Sequence, residues 1–236
     1  MTTEASLGYG TVLEIALASA PTVFTYIREV FEASPPSDTD ETVQVTHFGS
    51  PNRTHEYVPG FTDGGEASFQ MNYVPGSETD VFLLSIKGKK LVARLTFPNG
   101  VRIVFNCSRQ GYETSVPNAE KMTATLTLKV SGEPSQSEPA APINLVAPSI
   151  TGTAKVGEVL TVVPGEWAGA QTVTYQWQGD TSGNGTFSNI GGETGMTLVV
   201  PSSQEGDKIR VVETAANGSQ YTTSANSSAT ATVEAA

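Results

Sequence analysis

Leu91, Ala93, Leu95 and Phe97 alternate with Val92, Arg94 and Thr96, and Pro98-Asn99-Gly100 follows directly. Val101, Ile103, Phe105 and Cys107 then alternate with Arg102, Val104 and Asn106. A period of two puts one set of side chains on a single sheet face, which a helix cannot do. Asn-Gly between two such runs specifies a tight hairpin. The pattern returns at residues 123–130, where Ala124, Leu126, Leu128 and Val130 share one side. Residues 43–48 and 67–73 read as further strands.

One helix is expected, over residues 78–87. Ser77 suits the N-cap and Asp80 follows three residues later, as in a capping box. Val81, Phe82, Leu83, Leu84 and Ile86 give a broad apolar stripe for packing on a sheet. Lys87, Lys89 and Lys90 suit the negative end of the helix dipole, and Gly88 can cap it.

A composition shift divides the chain. Residues 131–142 hold three prolines and neither an aromatic nor a large aliphatic residue. Such a stretch reads as an extended, solvated linker. The domains expected are residues 1–133, a linker at 134–142, and residues 143–236. The second domain reads as all β, with short strands near 151, 159–163, 173–178, 197–200, 208–214 and 229–233. Turn signals at that spacing suggest a small sandwich.

Charge narrows the partners. The formal net charge is −11 and the pI about 4.6. Tight nucleic-acid binding needs Lys and Arg to neutralise phosphates, so it is not expected here. A single cysteine, Cys107, excludes an intrachain disulfide and a multi-cysteine metal site. Residues 1–7 carry no basic leader, and no apolar run is long enough to cross a membrane.

The residues that could carry chemistry are few. His47 reads as lying in a strand and His55 in a loop, while Cys107 alternates with core positions and reads as a buried thiol. Asp180-Thr181-Ser182-Gly183-Asn184-Gly185 starts like a calcium loop. Its twelfth position is Gly191, which cannot supply the bidentate carboxylate, so a hairpin loop is expected. Sequons begin at Asn52, Asn106, Asn217 and Asn226 and fit chance in a chain rich in Ser and Thr. No catalytic, cofactor-binding or metal residues are assigned.

Residues Val45-Thr46-His47-Phe48, then Pro59-Gly60-Phe61-Thr62-Asp63-Gly64-Gly65-Glu66-Ala67-Ser68-Phe69, then Asn72-Tyr73-Val74-Pro75-Gly76 carry a resemblance. Together they resemble the signature of the tail tube proteins of long-tailed, non-contractile bacteriophages, the lambdoid siphophages. Arg94-Leu95-Thr96-Phe97-Pro98-Asn99-Gly100 is similar to that family's late hairpin, and residues 122–132 to its last strand with Ser-Gly. The resemblance covers most of residues 1–133. It implies a β-sandwich flanked by one helix, and a structural virion protein, not an enzyme. Copies would form stacked hexameric rings, the tail tube through which DNA is ejected. Ring closure would pair open strand edges that are otherwise an aggregation liability.

Residues 32–41 and 49–61 are long for hairpin connections and are candidates for bridging one ring to the next. The implied partners are further copies of the chain, the tape measure protein, the tail terminator and the distal tail or baseplate proteins. Phage DNA would pass without specific binding, no membrane is involved, and assembly would occur in the host cytoplasm. Because a sliding channel favours repulsion, Lys87, Lys89, Lys90 and Arg94 are expected at the helix end and at subunit contacts, with a net negative lumen.

Gly165-Glu166-Trp167, Tyr175-Gln176-Trp177 and Gly206-Asp207-Lys208-Ile209-Arg210-Val211 make residues 143–236 resemble immunoglobulin-like modules of phage structural and bacterial surface proteins. The resemblance places Trp177 in the core, with Leu160 or Val162 and Val211 filling the space of the absent cysteine pair. Such a module could add weak adhesion to cell surfaces. The alternative reading of the chain is a monomeric or secreted two-domain adhesion or carbohydrate-binding module.

Overall fold

The computed structural model describes residues 8–181, 183–218 and 221–236. Residues 1–7, read above for a leader, lie outside the described residues. So do Ser182 of the calcium-like loop and Ser219 of the Asn217 sequon. The chain forms two compact units. One holds Val12–Leu95 and Arg102–Ser137, and the other holds Glu138–Ala236 with Thr96–Val101 and residues 8–11.

The first unit is mainly β with one helix. Its strands are β1 (Val12–Leu17), β2 (Thr25–Ile27), β3 (Val30–Ser34), β4 (Thr39–Gln44), β5 (Tyr57–Asp63) and β6 (Glu66–Asn72). After α1 (Glu78–Ser85) come β7 (Lys90–Thr96), β8 (Arg102–Ser115), β9 (Thr123–Val130) and β10 (Ser135–Gln136). Eight of these make one sheet in the order β2-β1-β7-β8-β9-β6-β3, with β10 beside β8. The alternating residues build its core: Leu91, Ala93, Leu95, Phe105, Ala124, Leu126, Leu128, Phe69 and Met71 are all buried.

α1 begins as its cap predicts. Ser77 Oγ accepts from the Asp80 N–H at 3.2 Å, and the Asp80 carboxylate accepts from the Gly76 N–H at 2.9 Å. Two bonds tie α1 to β8: Arg109 donates to the Leu83 carbonyl at 2.8 Å, and the Tyr112 hydroxyl donates to Asp80 at 3.1 Å. The helix is narrower in its packing than expected. Leu83 and Ile86 are buried, but Val81 and Leu84 are exposed. Eight residues give just over two turns, so only one narrow stripe meets the sheet. The helix also stops at Ser85, before the lysines, and Gly88 turns the chain with φ at 73°.

Two strand expectations and the linker change. Residues 45–48 are not strand, because β4 starts earlier and ends at Gln44. The linker is partly ordered, since β10 pairs with β8 and the Ser137 N–H donates to the Arg102 carbonyl at 2.9 Å. Ser135, Gln136 and Ser137 keep the backbone N–H that the flanking prolines lack. The last strand is β19 (Tyr221–Asn226), not residues 229–233, although Val233 is buried.

The second unit is all β: β11 (Ile143–Val146), β12 (Ser149–Thr151), β13 (Val159–Val163), β14 (Glu166–Ala168), β15 (Thr172–Asp180), β16 (Ser188–Asn189), β17 (Thr197–Val199), β18 (Lys208–Asn217) and β19. Sheets β12-β13-β17 and β16-β15-β18-β19 share one core, and β11 pairs with β14. Leu160, Val162 and Leu198 from the first sheet meet Trp177, Ile209 and Val211 from the second. Trp177 is fully buried and its Nε1 donates to the Gly195 carbonyl at 2.9 Å.

A truncation at this position therefore removes a large packed ring and orphans a carbonyl. Trp177→Ala is expected to destabilise the second unit by roughly 3–5 kcal/mol in chemical denaturation followed by tryptophan fluorescence. Near-normal stability of that variant would contradict the core assignment.

Candidate functional site

β4 and β5 stand apart from the large sheet and pair only with each other, as an antiparallel ribbon. The register runs from Thr39↔Asp63 to Gln44↔Tyr57, with a bulge between Asp40 and Thr42. All thirteen ribbon residues, six in β4 and seven in β5, are exposed. Yet the ribbon is not polar: Val43, Tyr57, Val58 and Phe61 are among its exposed side chains, and Phe61 keeps 87% of its surface. Val43 and Val58 lie directly opposite each other and so share a face.

The tip, residues 45–56, is cross-linked by its own polar groups. The Val45 N–H donates to the Glu56 carbonyl at 2.9 Å, and the Glu56 N–H returns to Thr46 Oγ1 at 3.0 Å. The His47 N–H donates to Ser50 Oγ at 3.0 Å, and the Gly49 N–H to His47 Nδ1 at 3.0 Å. Gln44 Nε2 donates to His55 Nδ1 at 2.7 Å. Asn52 and Arg53 both take positive φ, 55° and 56°, so the backbone turns sharply at Arg53. Phe48 sits on this ordered tip fully exposed.

The base of the ribbon is clamped. Asp63 accepts from the Gly65 N–H at 3.0 Å and from Lys129 Nζ at 3.0 Å, which joins β5 to β9. Gly65 has φ at 69°, and a Cβ there would collide with the Ser37 carbonyl, so only glycine fits. The Gly65 N–H first, then Lys129, hold the Asp63 carboxyl below its ordinary value.

The residues singled out from sequence fall as follows. The 32–41 and 49–61 segments are not loops throughout, because β3 and β4 take up the two ends of the first and β5 the end of the second. His47 lies in the tip turn and not in a strand, and its Nε2 is 3.8 Å from Glu56. The His55 ring lies 6.2 Å from the Tyr57 ring, centroid to centroid. Cys107 is far from this chemistry in kind: it is buried in β8, and burial pushes its thiol up to about 12. Its thiolate is thus scarce at neutral pH, and no nucleophile arises there.

Arg94 has a partner within the chain. It lies in β7 and forms a two-pronged pair with Glu14 of β1, at 2.8 and 2.9 Å, with Phe24 stacked 4.0 Å from its guanidinium carbon. Glu14 is almost wholly buried, so this pair cross-links β1 and β7 within the fold. Lys87, Lys89 and Lys90 are exposed. In the calcium-like loop, Asp180 is buried and accepts from the Gly185 N–H at 2.9 Å, closing a hairpin. Among the described residues no group of His, Cys, Asp and Glu is arranged to hold a metal ion.

Sequence reasoning missed the ribbon as an element. Pro59 and Gly60 interrupt β5 and both ribbon faces meet solvent, so no period of two appears. The signal that could have found it is Phe48, Tyr57 and Phe61 recurring in a segment otherwise polar.

Residues 9–137 match the model of the family described as lambda phage tail tube protein. Among solved structures, the chain is similar to the tail of an empty gene transfer agent particle with C6 symmetry. That match has 17% identity and a TM-score of 0.49, and covers 57% of this chain and 100% of the other. It is also similar to a chain of the anti-feeding prophage baseplate, at 10% identity, TM-score 0.46, and 58% and 97% coverage. A chain of the sheath/tube terminator of an extracellular contractile injection system matches at 12% identity, TM-score 0.43, and 58% and 100% coverage. No curated protein matches the chain.

The clamp yields a pH expectation. Asp63 should titrate below 3.8 in the folded protein by NMR. A lowered carboxyl pKa adds stability above the unfolded value, and that stability is lost as pH falls through the lowered pKa. Lys129→Ala should raise the Asp63 pKa but leave it below 3.8, because the Gly65 N–H is the larger cause. An Asp63 pKa at or above 3.8 in the unmodified protein would contradict the clamp.

Proposed function

The chain belongs to the lambda phage tail tube protein family, and on that premise we propose that six copies close into a ring and the rings stack into the tube. Its place is the virion tail, as a structural component. Its work is self-assembly and not catalysis. The ribbon β4–β5 is the observation that carries this reading, because its apolar side chains have no core of their own to enter. A two-stranded ribbon alone in water is marginal. Exposed apolar surface on an ordered, polar-pinned frame is what a permanent contact between copies uses.

The sheet path supports ring closure. It ends at β2 on one side and β3 on the other, two short strands whose outer edges can pair with neighbouring copies. The ribbon then reaches from ring to ring, in the role given above to residues 32–41 and 49–61. The tape measure protein would lie inside, the tail terminator and distal tail proteins at the ends, and assembly would occur in the host cytoplasm.

DNA would slide past a net negative wall. Residues 1–133 carry more carboxylates than Lys and Arg, and one cation of that set, Arg94, is already used by Glu14. The division into residues 1–133, 134–142 and 143–236 gives each part a task. The first forms the tube, and the last, with its own Trp177 core, decorates the outside. An immunoglobulin-like module in many copies could hold a cell surface by avidity even at low affinity.

Negative-stain microscopy of concentrated full-length protein should show rings or tubes, where only small particles would contradict the reading. Deleting residues 138–236 should leave tube formation intact, since β10 and its contacts with β8 are kept. The tubes should retain little DNA at physiological salt, because retention needs lumenal cations. A truncated chain that folds but never polymerises, or tubes that hold DNA tightly, would overturn the corresponding part.

A further inference from the structure

We infer that the cavity at the start of α1 is a socket for the ribbon tip of a second copy, with Phe48 as the inserted ring and Arg53 facing the socket's acidic rim. The inference rests on the assembly reading above and names the contact that reading leaves open.

The cavity has a volume of about 250 Å³. A dry cavity of about 150 Å³ already admits a benzene ring, so a phenyl side chain fits. Met71, Val74 and Tyr112 supply apolar wall, and Met71 is buried beneath it. Sulfur against an aromatic edge is a favourable contact. Phe48 of the same chain is fully exposed and therefore does not fill the cavity itself.

The socket is braced by hydrogen bonds before anything enters. Glu29 is held at φ 67°, an uncommon conformation for a residue with a side chain. Asn72 fixes it twice, with its N–H on the Glu29 carbonyl at 3.0 Å and its Nδ2 on the Glu29 carboxylate at 2.8 Å. The Arg28 N–H donates to Thr79 Oγ1 at 3.3 Å, and Asp80 anchors Tyr112. Strain kept in place by several bonds is characteristic of contact sites, and a preformed site loses less entropy on binding.

Two further features select the occupant. Asn72 Oδ1 is buried without a hydrogen-bond partner, an acceptor left for an incoming donor. Glu29, Glu78 and Asp80 outnumber Arg28 around the opening, so the rim is negative. The tip matches on both counts. Arg53 is exposed, brings five donors and a positive charge, and shares a pinned loop with Phe48. A second copy thus supplies the ring, the donor and the charge together.

The test uses the full-length protein with Phe48→Cys and Val74→Cys, assembled and then mildly oxidised. Cys107 is buried and stays silent. The expected result is a ladder of disulfide-linked copies on a non-reducing gel, absent in either single variant. Tubes that form without a ladder would overturn the socket while leaving the assembly reading standing. Unmodified protein that forms no tubes would overturn both. If the cysteine variants fail to assemble, a charge swap decides. Arg53→Glu should raise the concentration needed for assembly by at least about tenfold, and adding Glu78→Arg should restore it. Failure of the second change to restore assembly would overturn the contact.

Discussion

A β-ribbon in water has two faces and two edges, and its own cross-strand contacts do not compensate for ordering it. β4 and β5 are such a ribbon, with valine, tyrosine and phenylalanine turned to solvent. The rest of the first unit serves this problem. Gly65 and the Asp63–Lys129 clamp fix where the ribbon leaves the sheet. The tip carries its own hydrogen bonds through Thr46, Ser50 and both histidines, which set its shape once the ribbon is ordered.

The chemistry-bearing residues have structural work instead. Glu14 and Arg94 cross-link the two neighbouring strands β1 and β7 through a desolvated, bidentate pair. Such a pair is costly to break, because the remaining charge is left buried. Glu213, fully buried in the second unit, accepts from Trp167 Nε1 at 3.0 Å and from the Gly165 N–H at 2.7 Å. Burial and the Asp80 carboxylate together push the Tyr112 hydroxyl well above its ordinary range, so it stays a donor. These groups hold positions within the fold.

Much of the fold was legible because a half-buried sheet writes its geometry into the chain. Leu91 to Cys107 and Thr123 to Val130 alternate since one face meets the core: Leu91, Ala93, Leu95, Phe105, Cys107, Ala124, Leu126, Leu128 and Val130 are buried, while Phe97, Val101 and Ile103 beside the turn are half-buried. Ser77 and Asp80 announced α1, and Trp177 announced its own core. Legibility failed where no face is buried. The ribbon has no period, and β8 runs on to Ser115 through residues that are polar on both sides. Arg94 looked like a surface cation because its partner, Glu14, is eighty residues away in the chain. The cavity at the start of α1 left no mark at all, because it is assembled from the β2–β3 turn, β6, α1 and β8 together.

The account stands on the ribbon being unfinished in a single copy. Hydrogen–deuterium exchange of residues 39–63 in dilute protein and in assembled tubes measures this directly. The ribbon amides should exchange rapidly in the dilute chain, much faster than those of β7 and β9, and become strongly protected in tubes. Equal protection of residues 39–63 in both states would mean that the ribbon is complete by itself, and would contradict the account.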